Sequence, residues 1–353
     1  MLPWGQRPDH PRFFARIGSP STYVGALADA AASGVNAFTG SWTGGSGPSA
    51  VDLTVIDWLR GWCGMPERTA GVLTSGGSLA SLTAFAAARQ GRLGGPSGTG
   101  VVYVTDQTHA SLPRAVALLG ERTRVLPCDA GQRLEPAALR AAVEEDRGDG
   151  LQPFCVVATA GTTSTGAIDP LRELHAASRE LGLWLHVDGA YGAPAALTPG
   201  GAAALDGLGL ADSLAIDPHK WLFQPYEIGC VLVREPGLLE DVFSLEGAYL
   251  RDTAGGTVDF RDRSPELTRG ARGLTRRGCA SATAGRSSRP PRSGSSRSAA
   301  TGSMTTPTRG CRPPRSRTAT PRRARPSSGI ASSCACARST RARRSRTSTR
   351  RST

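Results

Sequence analysis

Residues 216–223 read IDPHKWLF, and Lys220 is the only lysine in a chain of 353 residues whose other long cationic side chains are all arginine. A guanidinium stays protonated in proteins, whereas a buried ammonium can be shifted toward the neutral amine. A position that keeps lysine where arginine serves everywhere else is a candidate nucleophile. The plainer alternative is a surface lysine left over in an arginine-favouring chain.

Three other stretches carry residues with chemical potential. TSGGSLASL (74–82) sets a glycine pair and Ser78 at the opening of a helical pattern. Small residues let a ligand approach the backbone, and the free N–H groups of a helix start favour an anion such as phosphate. The same residues also read as a plain turn with Ser78 as N-cap. No lysine follows the glycines, so this is not a Walker A loop. DQTHASL (106–112) puts His109 just after a strand-like run, where it is either structural or chemical. HVDGAY (186–191) ends an apolar run on Asp188. A carboxylate there needs a partner: a core arginine, a nest of backbone N–H groups, or the cationic ring nitrogen of a cofactor. A helix start for phosphate, an imidazole, a buried aspartate and one lysine together describe a pyridoxal phosphate site, with the lysine as Schiff base and the aspartate on the pyridinium nitrogen. No metal is expected; Cys334 and Cys336 have no histidine or acid nearby to complete a zinc site.

The elements that must position these residues alternate between about residues 50 and 235. AVDLTVIDWLRGW, SLASLTAFAAARQ, EPAALRAAVEED and LRELHAASRELG read as helices; GVVYVTD, FCVVATAG, LWLHVDGA, SLAID and GCVLVRE read as strands. The strands are nearly continuous apolar runs, as expected where both faces are covered. The pattern is that of an α/β protein with a mostly parallel sheet flanked by helices. In such sheets ligands collect at the carboxyl ends of the strands, and TDQTH, TAGTT, HVDGAY and DPHK all fall there.

In order and at matching spacing, TSGGSLASL, DQTHASL, VVATAGTTSTGAIDPL, LWLHVDGAYGA and IDPHKWL resemble the group II pyridoxal-phosphate-dependent amino acid decarboxylases, the family of aromatic-L-amino-acid decarboxylase. The resemblance covers roughly residues 10–274 and implies the large domain of the fold type I transferases. It also implies roles. Lys220 would form the Schiff base, and Asp188 would keep the pyridine nitrogen protonated. His109 would stack on one ring face and Ala190 on the other. Thr163 would approach the ring hydroxyl, Gly77 and Ser78 would hold the phosphate, and His219 would lie toward the substrate. Asp217 stands where many members have asparagine, beside the phosphate, and cannot donate a hydrogen bond there unless protonated. Tyr249, in EGAYLRD, matches the mobile-loop tyrosine that returns a proton to carbon. Related aldehyde-forming enzymes commonly have phenylalanine at that point. Phe13, Phe14 and Trp42 fall where members line the substrate pocket, which favours an aromatic L-amino acid; they read equally well as core.

Composition divides the chain. Residues 1–270 hold 20 arginines, the lysine and all 29 acidic residues, for a net charge of −8; residues 271–353 hold 21 arginines and no acid, for +21. From Arg261 onward there is no Phe, Trp, Tyr or Val, so this stretch cannot bury enough apolar surface to offset its ordering entropy. The organisation expected is an N-terminal remnant and pocket or dimer segment (1–45), a cofactor-binding large domain (46–260), and a low-complexity Arg/Ser/Pro-rich tail (261–353), disordered or out of frame. The family pattern starts internally at WGQRPDH and breaks off near ELTRGARGLT; an indel in the gene there would explain it, and resequencing decides. The start of the chain lacks a signal peptide's apolar core, and no apolar run approaches the roughly 18–20 residues of a membrane span. The scattered cysteines of the globular part suit reduced thiols in the cytoplasm. The expected partners are an amino acid substrate and, by the resemblance, a second copy of the chain. The tail would bind nucleic acid only non-specifically, since it has charge but no aromatic residues for stacking.

Overall fold

Seven strands form the sheet that positions the site: β1 (Ala70–Thr74), β2 (Gly100–Thr105), β3 (Arg122–Leu126), β4 (Gln152–Thr159), β5 (Trp184–Asp188), β6 (Ser213–Ile216) and β7 (Gly229–Val233). The structure is a computed structural model that describes residues 5–15, 17–245 and 258–270. The strand order is β1-β7-β6-β5-β4-β2-β3. All neighbours are parallel except β7, which runs antiparallel to both β1 and β6. Every residue of β1, β2, β5, β6 and β7 is buried, as the continuous apolar runs require. β3 is the edge strand opposite β1, and its polar residues and exposed Val125 face water there.

The helices are α1 (Tyr23–Val35), α2 (Trp42–Trp62), α3 (Gly77–Leu93), α4 (Ser111–Leu118), α5 (Pro136–Gly148), α6 (Leu171–Glu180), α7 (Pro199–Ala204) and α8 (Leu238–Phe243). α3 is the central one and lies against β7, β6, β5 and β4. Its alanines make that close approach possible: Ala80, Ala84, Ala87 and Ala88 are fully buried, with Phe85 filling the space between. α5 opens on Pro136, whose missing N–H costs nothing in a first turn. α6 is followed by Gly182 at φ 66°, the left-handed residue that stops the helix.

Residues 258–270 pack onto this core. Phe260 is fully buried, Thr39 N–H donates to Arg269 O at 3.0 Å, and Phe38 bridges Gly270. The compositional boundary between 260 and 261 therefore falls inside packed structure. The boundary at 261 assigns Arg261 and Arg269 to the tail, but both are buried, and they pair with Asp259 and Asp52.

Candidate active site

The carboxyl ends of β4, β5 and β6 lie level, with Thr159 beside Asp188 and Asp188 beside Ala215. The loops leaving them, with the start of α3 and the turn after β2, enclose a cavity of about 540 Å³. Nine residues proposed from the sequence line it: Gly77, Ser78, His109, Thr163, Asp188, Ala190, Asp217, His219 and Lys220. The tenth, Tyr249, lies outside the described residues.

Each is placed by a local reason. Gly76 caps α3 at φ 146°, a conformation that side chains resist, and no side chain caps the helix. The first N–H groups of α3 are thus without intrahelical acceptors at the positive end of its dipole. Asp188 is buried; its Oδ1 accepts Ala190 N–H at 3.1 Å and its main-chain carbonyl accepts Ala160 N–H at 2.8 Å. His109 is exposed, and its Nδ1 lies 2.8 Å from Ser111 Oγ. Thr163 is exposed on a hairpin closed by the Ala160–Ile168 bridge and by Thr162 N–H to Ala167 O at 2.9 Å.

Asp217 to Lys220 form a turn after β6, with Lys220 N–H donating to Asp217 O at 2.9 Å. Lys220 Nζ sits 2.9 Å from Asp217 Oδ2. His219 is buried; its Nδ1 accepts Ile228 N–H at 3.1 Å and its ring packs against Tyr226, tilted by 39° with centroids 4.7 Å apart. That contact ties the lysine loop to the start of β7. Ser19 Oγ donates to Lys220 O at 2.5 Å, which fastens the N-terminal segment to the same loop.

A second cavity of about 620 Å³ adjoins Lys220 and Thr163 and is lined by Phe13, Phe14, Tyr191, Trp221 and Phe223. Phe13 and Phe14 therefore stand beside the lysine. Trp42 does not: it packs against the core at the start of α2, its N–H donating to Asp259 at 2.7 Å.

Two supporting residues carry no signal in sequence spacing. Asp169 is buried, and its two carboxylate oxygens accept Leu134 N–H at 2.7 Å and Thr159 N–H at 2.6 Å. Burial pushes its pKa up, against the pull of those two N–H groups. His186, two residues before Asp188, is fully buried against the edge of Phe85, with Nδ1 2.8 Å from Ser213 Oγ. Burial pushes its pKa down to about 4. A buried aspartate before Pro170 and a histidine inside an apolar strand were the only hints.

Residues 3–275 match the pyridoxal-dependent decarboxylase conserved domain. The chain belongs to the pyridoxal-dependent decarboxylase family. Over 272 residues it is 44% identical to an aromatic-L-amino-acid decarboxylase of Bacillus atrophaeus, covering 75% of this chain and 57% of that protein. It is 36% identical to a tyrosine decarboxylase of Oryza sativa subsp. japonica, covering 78% of this chain and 55% of the relative. The chain thus spans little more than half the length of these curated relatives. Among solved structures, Oryza sativa TDC with PLP and tryptamine superposes with a TM-score of 0.74 at 29% identity, covering 78% of this chain and 61% of that one. Rhodiola rosea 4-hydroxyphenylacetaldehyde synthase superposes with 0.73 at 29%, covering 80% and 62%. The sheet and its helices are those of the fold type I decarboxylases.

The residues of this family member fit the phosphorylated cofactor. The chain's single amine, a buried carboxylate and an uncapped helix start face one cavity. One feature is awkward: Asp217 Oδ1 is buried at that same helix start without a hydrogen bond among the described residues.

Proposed function

We propose that this chain carries the cofactor domain of a decarboxylase that uses pyridoxal phosphate to convert an L-amino acid, by preference an aromatic one, to its amine and CO2. The supporting observation is convergence: Lys220, Asp188 and the start of α3 come from separate strand ends and line one cavity. When bound, the cofactor's protonated ring supplies a sink for the electron pair left as CO2 departs. Asp188 holds the proton on the ring nitrogen. Lys220 supplies the tethering amine. The start of α3 binds the phosphate through backbone N–H groups. His109 covers one face of the ring, and Ala190, too small to push the ring away, covers the other. Thr163 places a hydroxyl at the ring's edge. Phe13 and Phe14 give the neighbouring cavity an apolar wall that an aromatic side chain would fill. Tyr249 returns the proton to carbon, a role that rests on its sequence context alone. The reading extends to a cytoplasmic homodimer by family resemblance; among the described residues no helix is long and apolar enough to cross a membrane.

The test is to add pyridoxal phosphate to the purified chain and look for a visible absorption band that borohydride fixes on Lys220. Absence of the band, or its retention in Lys220→Ala, would sink the reading. CO2 release from a panel of amino acids then separates it from a second reading, a domain that binds the cofactor and turns nothing over. Relatives named phenylacetaldehyde synthase, such as that of a Rosa hybrid cultivar at 34% identity, make the product worth identifying. Amine is expected with Tyr249, and aldehyde would contradict its assigned role.

A further inference from the structure

Asp217 is 4% exposed, and its two oxygens have different surroundings. Oδ2 lies 2.9 Å from Lys220 Nζ and 3.7 Å from His219 Nε2. Oδ1 is buried and accepts no hydrogen bond among the described residues. A Cβ added to Gly77 would fall 2.8 Å from Oδ2 and 2.9 Å from Oδ1. The carboxylate therefore lies directly over the backbone that opens α3, and only glycine leaves room for it. The ionisable neighbours are Lys220 and His219 on its own loop. α3 presents Gly77 and Ser78, and the turn after β5 presents the Ala190 carbonyl, which accepts Asp217 N–H at 3.2 Å.

We infer that Asp217 is a built-in anion that competes with the cofactor phosphate for the start of α3, and so weakens the chain's preference for the phosphorylated over the unphosphorylated cofactor. The inference rests on the reading that pyridoxal phosphate binds here. Two anions aimed at one helix start repel each other, and neither can satisfy the other's lone pairs. To admit the phosphate, the carboxylate turns aside or takes up a proton, after which its O–H donates to the phosphate. Pyridoxal itself carries the same aldehyde and ring but no phosphate, and meets no such conflict.

The experiment measures apparent Kd values for pyridoxal phosphate and for pyridoxal from the visible band, on the full chain and on Asp217→Asn, at fixed pH. Losing Asp217 also alters the Lys220 ion pair, but both ligands bond the same amine, so the ratio of the two Kd values isolates the phosphate. The variant is expected to favour the phosphorylated form over pyridoxal by at least about tenfold more than the unmodified chain does. Asp217→Ser, smaller and uncharged, should shift the ratio the same way, and inorganic phosphate should compete with pyridoxal phosphate at lower concentration in both variants. A ratio that stays constant or falls in both variants overturns the inference while leaving the cofactor reading intact. No band with either ligand in the unmodified chain overturns both.

Discussion

Arg269 and Asp52 lie 217 positions apart in sequence, yet Nη2 and Oδ2 meet at 3.1 Å with neither side chain exposed. Two charges leave water only if each compensates the other, so removing one strands its partner. Asp52→Ala should cost about 3–5 kcal/mol of unfolding free energy, read from urea denaturation. The double change Asp52→Leu with Arg269→Met should recover most of that loss. A single substitution costing less than about 1 kcal/mol, the value typical of exposed pairs, would show the pair to be solvated.

His186 predicts an acid limb in stability. Burial holds its imidazole neutral in the folded chain, with the pKa pushed from 6.5 down to about 4. As pH falls through that window the unfolded chain takes up a proton that the folded chain refuses. The stability linked to this group is full above about pH 6.5 and is lost toward pH 4, amounting to about 3 kcal/mol. His186→Gln should flatten this part of a stability-versus-pH curve; an unchanged slope would contradict the assignment.

Asp188 and Lys220 should separate cleanly in experiment. Asp188→Ala leaves the amine in place, so the visible band with pyridoxal phosphate should still form. Turnover should fall by about 10²–10³, the usual cost of deleting one preorganised electrostatic group. Loss of the band itself in this variant would mean that Asp188 supports the fold of the site instead.

Asp169 clamps β4 to the segment at Leu134 through two N–H groups. In Asp169→Asn the side-chain NH2 would face one of those donors and leave it unpaired. We expect a loss of about 1–3 kcal/mol, together with faster amide exchange across residues 160–168, the hairpin that carries Thr163. Exchange that accelerates uniformly across the sheet would point to global loosening instead.

Complete burial made most strands readable, the exception being β1, AGVLT, which is fully buried but short and was not recognised. β5 and β7 are five apolar or buried residues each, and their runs stand out. β3, RTRVL, was not recognised because an exposed edge strand has polar residues on three of its five positions. α1 gave no periodic signal because Gly25 is its only buried residue. α4 is eight residues long with Pro113 in its first turn. The site residues were legible as types, since a solitary lysine and a strand-end aspartate have few structural uses. Their mutual contacts were not. Nothing in the spacing of Asp217 and Lys220 says that the carboxylate reaches both the ammonium and Gly77, and the boundary drawn at 261 set Arg269 apart from the globular part it packs into.

The antiparallel insertion of β7 has a consequence for biosynthesis. β1 is the first strand to leave the ribosome, but its only sheet neighbour is β7, where Ala70 pairs with Val233. Until the chain has grown past Val233, β1 has no edge to join and β6 has one side open. The lysine loop lies between β6 and β7, so it is the last part of the sheet to close. A chain ending between residues 221 and 228 would have every parallel strand and Lys220, but its sheet would still lack the strand that joins β1 to the rest.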